Sequence, residues 1–174
     1  KVNASDLLFI LDVTRRNLTD LKTKLLAVKK GDAQWYAGAV QRAYWADAKL
    51  SEVSLSPDYK TIQDIATVQE WIIGSSMFLE NIFGEETLSQ DSLYYQAQQE
   101  IERAESYILG NGGDMDMTIP EFHLKAAQKM LVDGNYIGVI FESQEIIGMV
   151  TSKRSAENIS ESGMEDMVFK NFEL

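Results

Sequence analysis

The chain has 174 residues, 45% apolar and 25% charged, which suits one domain with a substantial core. A net charge of -11 with no clustered basic surface argues against nucleic acid as a partner. The absence of cysteine removes disulfides, thiolate metal sites and cysteine nucleophiles, and no apolar run approaches the roughly 18 residues that span a bilayer.

Charge is unevenly placed. Residues 1–60 carry 10 Lys and Arg against 7 Asp and Glu, net +3, whereas residues 61–174 carry 6 against 20, net -14. The acidic half reads as a solvated surface, a docking face for a basic partner, or a complement to the first half. The chain opens on Lys1 rather than Met, as expected of a trimmed or processed segment of a larger protein.

Two prolines, scattered glycines and few β-branched runs predict an all-α fold. Leu7, Leu11, Thr14, Leu18, Leu21, Leu25 and Val28 step by four and three, predicting a first helix from Ser5 to Lys30. Ser5 or Asp6 is its expected cap and Gly31 its left-handed terminator. Asp32 is the expected cap of a second helix reaching Leu55, in which small residues alternate with Trp35, Tyr36, Tyr44 and Trp45. Ser56-Pro57 reads as the start of a third helix, ended by Gly84, whose wide apolar surface predicts a central place. A fourth is expected over Ser89–Leu109, before the break at Gly110–Gly113. Thr118, Pro120 and Glu121 form a capping-box pattern for a fifth helix, which folds back at Asp133-Gly134-Asn135 into a sixth ending near Val150. Residues 151–174 read as a polar loop followed by a C-terminal segment. The expectation is therefore a bundle of long antiparallel helices over 1–110, with a shorter hairpin over 111–150 packed on it.

Motifs for chemistry are sparse. His123 is the single histidine and reads as structural, so a zinc site of the usual His/Cys kind is not expected, and the Glu-x-x-His pairs of helical di-metal sites are missing. Asp114 and Asp116 have the spacing that begins a calcium loop. Ile119 stands where that loop needs Gly, however, and Lys125 where it needs Glu, so the stretch reads better as a solvated connector. No phosphate-binding glycine loop or nucleophile set occurs, and neither a catalytic residue nor a cofactor is assigned. Tyr36, Tyr44, Trp45 and Trp71 read as core, or alternatively as the wall of a groove for a peptide or partner helix. Sequons stand at Asn3, Asn17 and Asn158; Asn158, in the polar stretch, is the credible acceptor and gives some weight to an extracytoplasmic location.

The hairpin Ala126–Ile146 resembles a tetratricopeptide-type repeat, with Ala127 at its small position, Gly134 at its turn and Tyr136 opening the second helix. Val139, Ser143 and Ile146 depart from that pattern, and no 34-residue period recurs. More loosely, AGAVQRAYWADAKL (Ala37–Leu50), the Trp71 helix and the Gly134-Asn135-Tyr136 turn resemble the helical region that follows the protease domain of archaeal Lon-like serine proteases. That resemblance implies an accessory part without catalytic residues. The function expected is thus a non-enzymatic interaction or accessory domain, contacting a protein, a peptide or neighbouring domains. A small-molecule or metal-handling bundle enzyme and a structural spacer are the alternatives.

Overall fold

The computed structural model describes residues 3–111 and 115–157. Six α-helices account for most of them: α1 (Ala4–Ala27), α2 (Ala33–Leu50), α3 (Tyr59–Glu80), α4 (Tyr94–Asn111), α5 (Thr118–Val132) and α6 (Tyr136–Glu157). The single extended pairing among the described residues is an isolated bridge between Lys30 and Thr87. The all-α expectation holds.

At the starts of α1, α2, α3 and α5 a side chain satisfies a free N–H of the first turn. Asn3 does so for α1 by accepting from Asp6 N–H, so neither Ser5 nor Asp6 is the cap. Asp32 accepts from Gln34 and Trp35 at the start of α2, as expected, and Asp58 rather than Ser56 accepts from Thr61 at the start of α3. In α5 Thr118 already lies inside the helix, so the capping box with Glu121 does not form. Asp116 accepts from both the N–H and the hydroxyl of Thr118 instead.

Helix ends differ more. α1 stops at Ala27, not Lys30, because residues 29–32 are drawn into an extended pairing with residues 83–88. Gly31 N–H donates to Glu86 O at 2.9 Å, Leu88 N–H to Lys29 O at 2.9 Å and Asp32 N–H to Phe83 O at 2.8 Å. Gly31 has φ 139°, outside the ordinary left-handed terminator geometry, and a Cβ there would lie 2.1 Å from Ile82 Cγ2. α2 ends at Leu50, short of Leu55. α6 runs past Val150 to Glu157, so the polar stretch 151–157 is helical rather than loop. There Lys153 reaches Asp116 O and Arg154 reaches Asn111 Oδ1, tying α6 to the α4–α5 connection.

The packing order also departs from expectation. α2 is the central helix, touching α1 and α3 with some faces and α5 and α6 with others. α4 packs on α5 and α6 and approaches none of α1, α2 or α3 among the described residues, so the first four helices are not a four-helix bundle. Two groups of three helices share one continuous core instead. A smaller cluster of Ala104, Ile108, Met117, Ile146 and Val150 closes the far end of α4–α6. α3, expected to be central, is an edge helix whose Ile73 and Met77 are 60% and 59% exposed. Its wide apolar face reports composition, whereas the small residues of α2 permit close approach on several sides.

Two glycines set that approach. A Cβ on Gly38 would lie 2.6 Å from the Phe78 ring, and one on Gly138 of α6 would lie 2.5 Å from Val40 Cγ1. Gly148, in the same helix, has open space around it. Replacing a helical glycine by alanine gains up to about 1 kcal/mol of propensity, while overpacking costs about 1–3 kcal/mol. Gly138→Ala is therefore expected to lower the urea midpoint and Gly148→Ala to raise it. Equal shifts from the two variants would contradict the close α2–α6 contact.

Candidate functional site

The α5–α6 turn positions the polar groups that meet α2. Asn135 N–H bonds to Met130 O at 2.9 Å and Gly134 N–H to Leu131 O at 3.3 Å, with Gly134 at φ 79°, the paired closure that ends a helix in a left-handed glycine. This aims Asn135 into the core. Tyr36 Oη donates to Asn135 Oδ1 at 2.7 Å, Asn135 Nδ2 donates to Tyr44 Oη at 2.7 Å, and Tyr44 Oη donates to Asp133 Oδ2 at 2.8 Å. Lys22 of α1 then pairs with Asp133 at 2.8 Å and Asp47 at 3.1 Å, lying 4.3 Å over the Tyr44 ring.

Burial pushes the Tyr36 hydroxyl up to about 12 and pushes Tyr44 up as well, Asp133 adding to the latter. Burial also raises Asp133, but hydrogen bonds from Lys22 and Tyr44 and the charges of Lys22 and Lys129 outweigh it and hold the carboxyl below its ordinary value.

About two turns beyond Asn135, a second network surrounds Glu142 of α6, which is 0% exposed. Its Oε1 accepts from Trp45 Nε1 at 2.7 Å and lies 2.7 Å from His123 Nδ1. Its Oε2 accepts from Gln41 Nε2 at 2.8 Å, and the same amide reaches Glu145 Oε2 at 2.9 Å. α2, α5 and α6 thus converge on one carboxylate. A proton must lie between His123 and Glu142 at that separation, and the Nδ1–H tautomer supplies it.

The aromatic side of this cluster opens to solvent. Trp45 stacks edge-on against His123 at 5.1 Å and against Trp71 at 6.0 Å, and Phe122 lies 5.8 Å from both Trp71 and His123. Trp71 and Phe122 line an open groove of about 650 Å³ together with Ile119. Its rim holds the pairs Lys49–Asp64 at 2.8 Å and Lys125–Glu52 at 2.7 Å. Glu121, also on the rim, has no ion-pair partner among the described residues.

The residues singled out in the sequence therefore separate. Trp71 lines the groove and Trp45 backs it, whereas Tyr36 and Tyr44 are buried and bonded to the hairpin turn. Asp116 is exposed and engaged by Thr118, whose hydrogen bonds hold its carboxyl below the ordinary value. Asp114 and Asn158 lie outside the described residues. Asn3 caps α1 and Asn17 lies exposed within it. Glu142, Glu145 and Gln41 were not singled out. The signal was a charged residue between Val139 and Ile146, on a stripe where α6 needs buried positions. Comparison of the chain with protein-family models, with curated proteins and with solved structures finds no match in any of the three.

The tyrosine network makes stability sensitive to alkali. A group whose value is raised on folding contributes fully below its unfolded value, here 10.0, and loses that contribution as pH rises through its folded value, about 12 for Tyr36. Unfolding free energy is expected to fall above about pH 10. Tyr36→Phe, which costs about 1 kcal/mol at neutral pH, should show a shallower alkaline fall. An unchanged alkaline slope in that variant, measured by urea titration, would contradict the assignment.

Proposed function

We propose that the chain is a non-enzymatic interaction domain that binds a segment of a partner protein, or of a neighbouring domain, in the groove between α3 and α5. The observation carrying this reading is the apolar floor of Trp71 and Phe122 in an open, charge-rimmed groove. Buried aromatic contacts supply most of the binding energy of typical interfaces, and paired rim charges contribute little. Glu121, the rim carboxylate without an ion-pair partner among the described residues, selects a basic residue beside the apolar anchor. The occupant is accordingly a peptide segment that combines an aromatic or leucine anchor with Lys or Arg, in keeping with the net -14 of residues 61–174. An accessory role beside a Lon-like protease is one setting for such a domain.

Selection of peptides from a random displayed library against the chain tests this. Enriched peptides are expected to share the anchor-plus-basic pattern, to perturb tryptophan fluorescence, and to lose roughly tenfold or more in affinity with Trp71→Ala or Glu121→Lys. Circular dichroism checks that each variant is folded. Enriched peptides that bind Trp71→Ala as tightly as the parent chain, or no enrichment at all, would refute the groove as a binding site.

A further inference from the structure

The cluster behind the groove carries an electrostatic imbalance. Glu142, with no exposure, and Glu145, one turn further along α6, share a single neutral amide, Gln41. Neither carboxylate is within ion-pair distance of a lysine or arginine among the described residues, and there His123 is the one group able to carry positive charge within that distance of Glu142. Like charges one turn apart repel, and a buried carboxylate is costly unless paired or bound to a metal.

The donors that create the imbalance form a ligand set. One ring nitrogen of His123 and one oxygen each of Glu142 and Glu145 all lie within 4.8 Å of one another. They project from two adjacent helices, a more rigid mounting than a loop. Gln41 adds a fourth donor if its amide turns over, giving up its two hydrogen bonds to the carboxylates and presenting its carbonyl oxygen to the ion in place of the NH2. Trp45 Nε1–H, already on Glu142 Oε1, is the kind of outer contact that orients a ligating carboxylate. Glu145 is exposed and gives an ion its way in.

We propose that His123, Glu142 and Glu145 form a site for a divalent transition-metal ion of the Zn2+ or Co2+ type. One imidazole nitrogen and two carboxylate oxygens, with a fourth position open to Gln41 or water, suit such an ion. Calcium, which takes six to eight oxygens, does not fit. Binding needs a neutral imidazole, its single proton on the nitrogen that does not ligate, and ionised carboxylates, so metal competes with protons and binding weakens as pH falls. The proposal does not depend on the groove or its occupant.

Cobalt titration of the chelator-treated chain, followed by visible absorption and thermal melting, tests it. One equivalent of Co2+ is expected to give d–d bands of a four- or five-coordinate ion, bleached by Zn2+, with a rise in Tm for either metal. Glu145→Gln alters an exposed residue and is expected to fold normally. It should weaken Co2+ binding roughly tenfold or more, and His123→Gln should abolish the bands. Asp116→Asn should leave the Co2+ bands and the metal-induced rise in Tm unchanged. If His123→Gln does not fold, the Glu145→Gln comparison decides. Absence of d–d bands in the parent chain, or equal metal-induced Tm shifts in parent and Glu145→Gln, would overturn the proposal.

Discussion

A carboxylate wholly removed from water is costly unless hydrogen-bond donors surround it, and the architecture depends on how Glu142 meets that requirement. Its partners come from two other helices: Trp45 and Gln41 from α2, and His123 from α5. Removing one donor from such a buried carboxylate costs about 1–3 kcal/mol or more, against a total domain stability of about 5–15 kcal/mol. The register of α2 against the hairpin is thereby fixed. Tyr36 and Tyr44 reinforce it by bonding Asn135 and Asp133 at the hairpin turn. α1 and α3 then cover the remaining faces of α2, and α4 covers α5 and α6.

The same residues relate core and surface. Trp45 has its indole nitrogen on Glu142 and its ring against His123 and Trp71, so the inner end of one side chain belongs to the buried cluster and the other supports the groove. Occupation of the groove at Trp71 and Phe122 therefore bears on a wall that also holds His123 in place. The rim pairs Lys49–Asp64 and Lys125–Glu52 bridge α2 to α3 and the end of α2 to α5 across the mouth of the groove.

Periodicity made the six helices legible, because the 3.6-residue stripe is local information. The stripe named for α1 is buried at every position but Val28, and in the fourth predicted helix the apolar positions 97, 101, 104 and 108, spaced by four and three, are all buried. Partner choice was not legible. Leu93, Ala97, Ile101, Ala104 and Ile108 say that α4 buries one face, but nothing in that pattern says the cover is α5 and α6 rather than α1–α3. Breadth of apolar surface misplaced α3 for the same reason, since Ile73 and Met77 remain at the edge of the fold. Glu142 and His123 are 19 positions apart in sequence, with no motif spacing, and only tertiary packing makes them neighbours.

Because α2 joins the two groups of three helices through one core, it is expected not to separate from the hairpin without global unfolding. Native-state hydrogen exchange across a denaturant series measures this residue by residue. Buried amides of α2, α5 and α6 are expected to exchange at the same free energy, equal to that of global unfolding. A sub-global opening in which α2 leaves with α1 and α3, while α5 and α6 keep their protection, would contradict it.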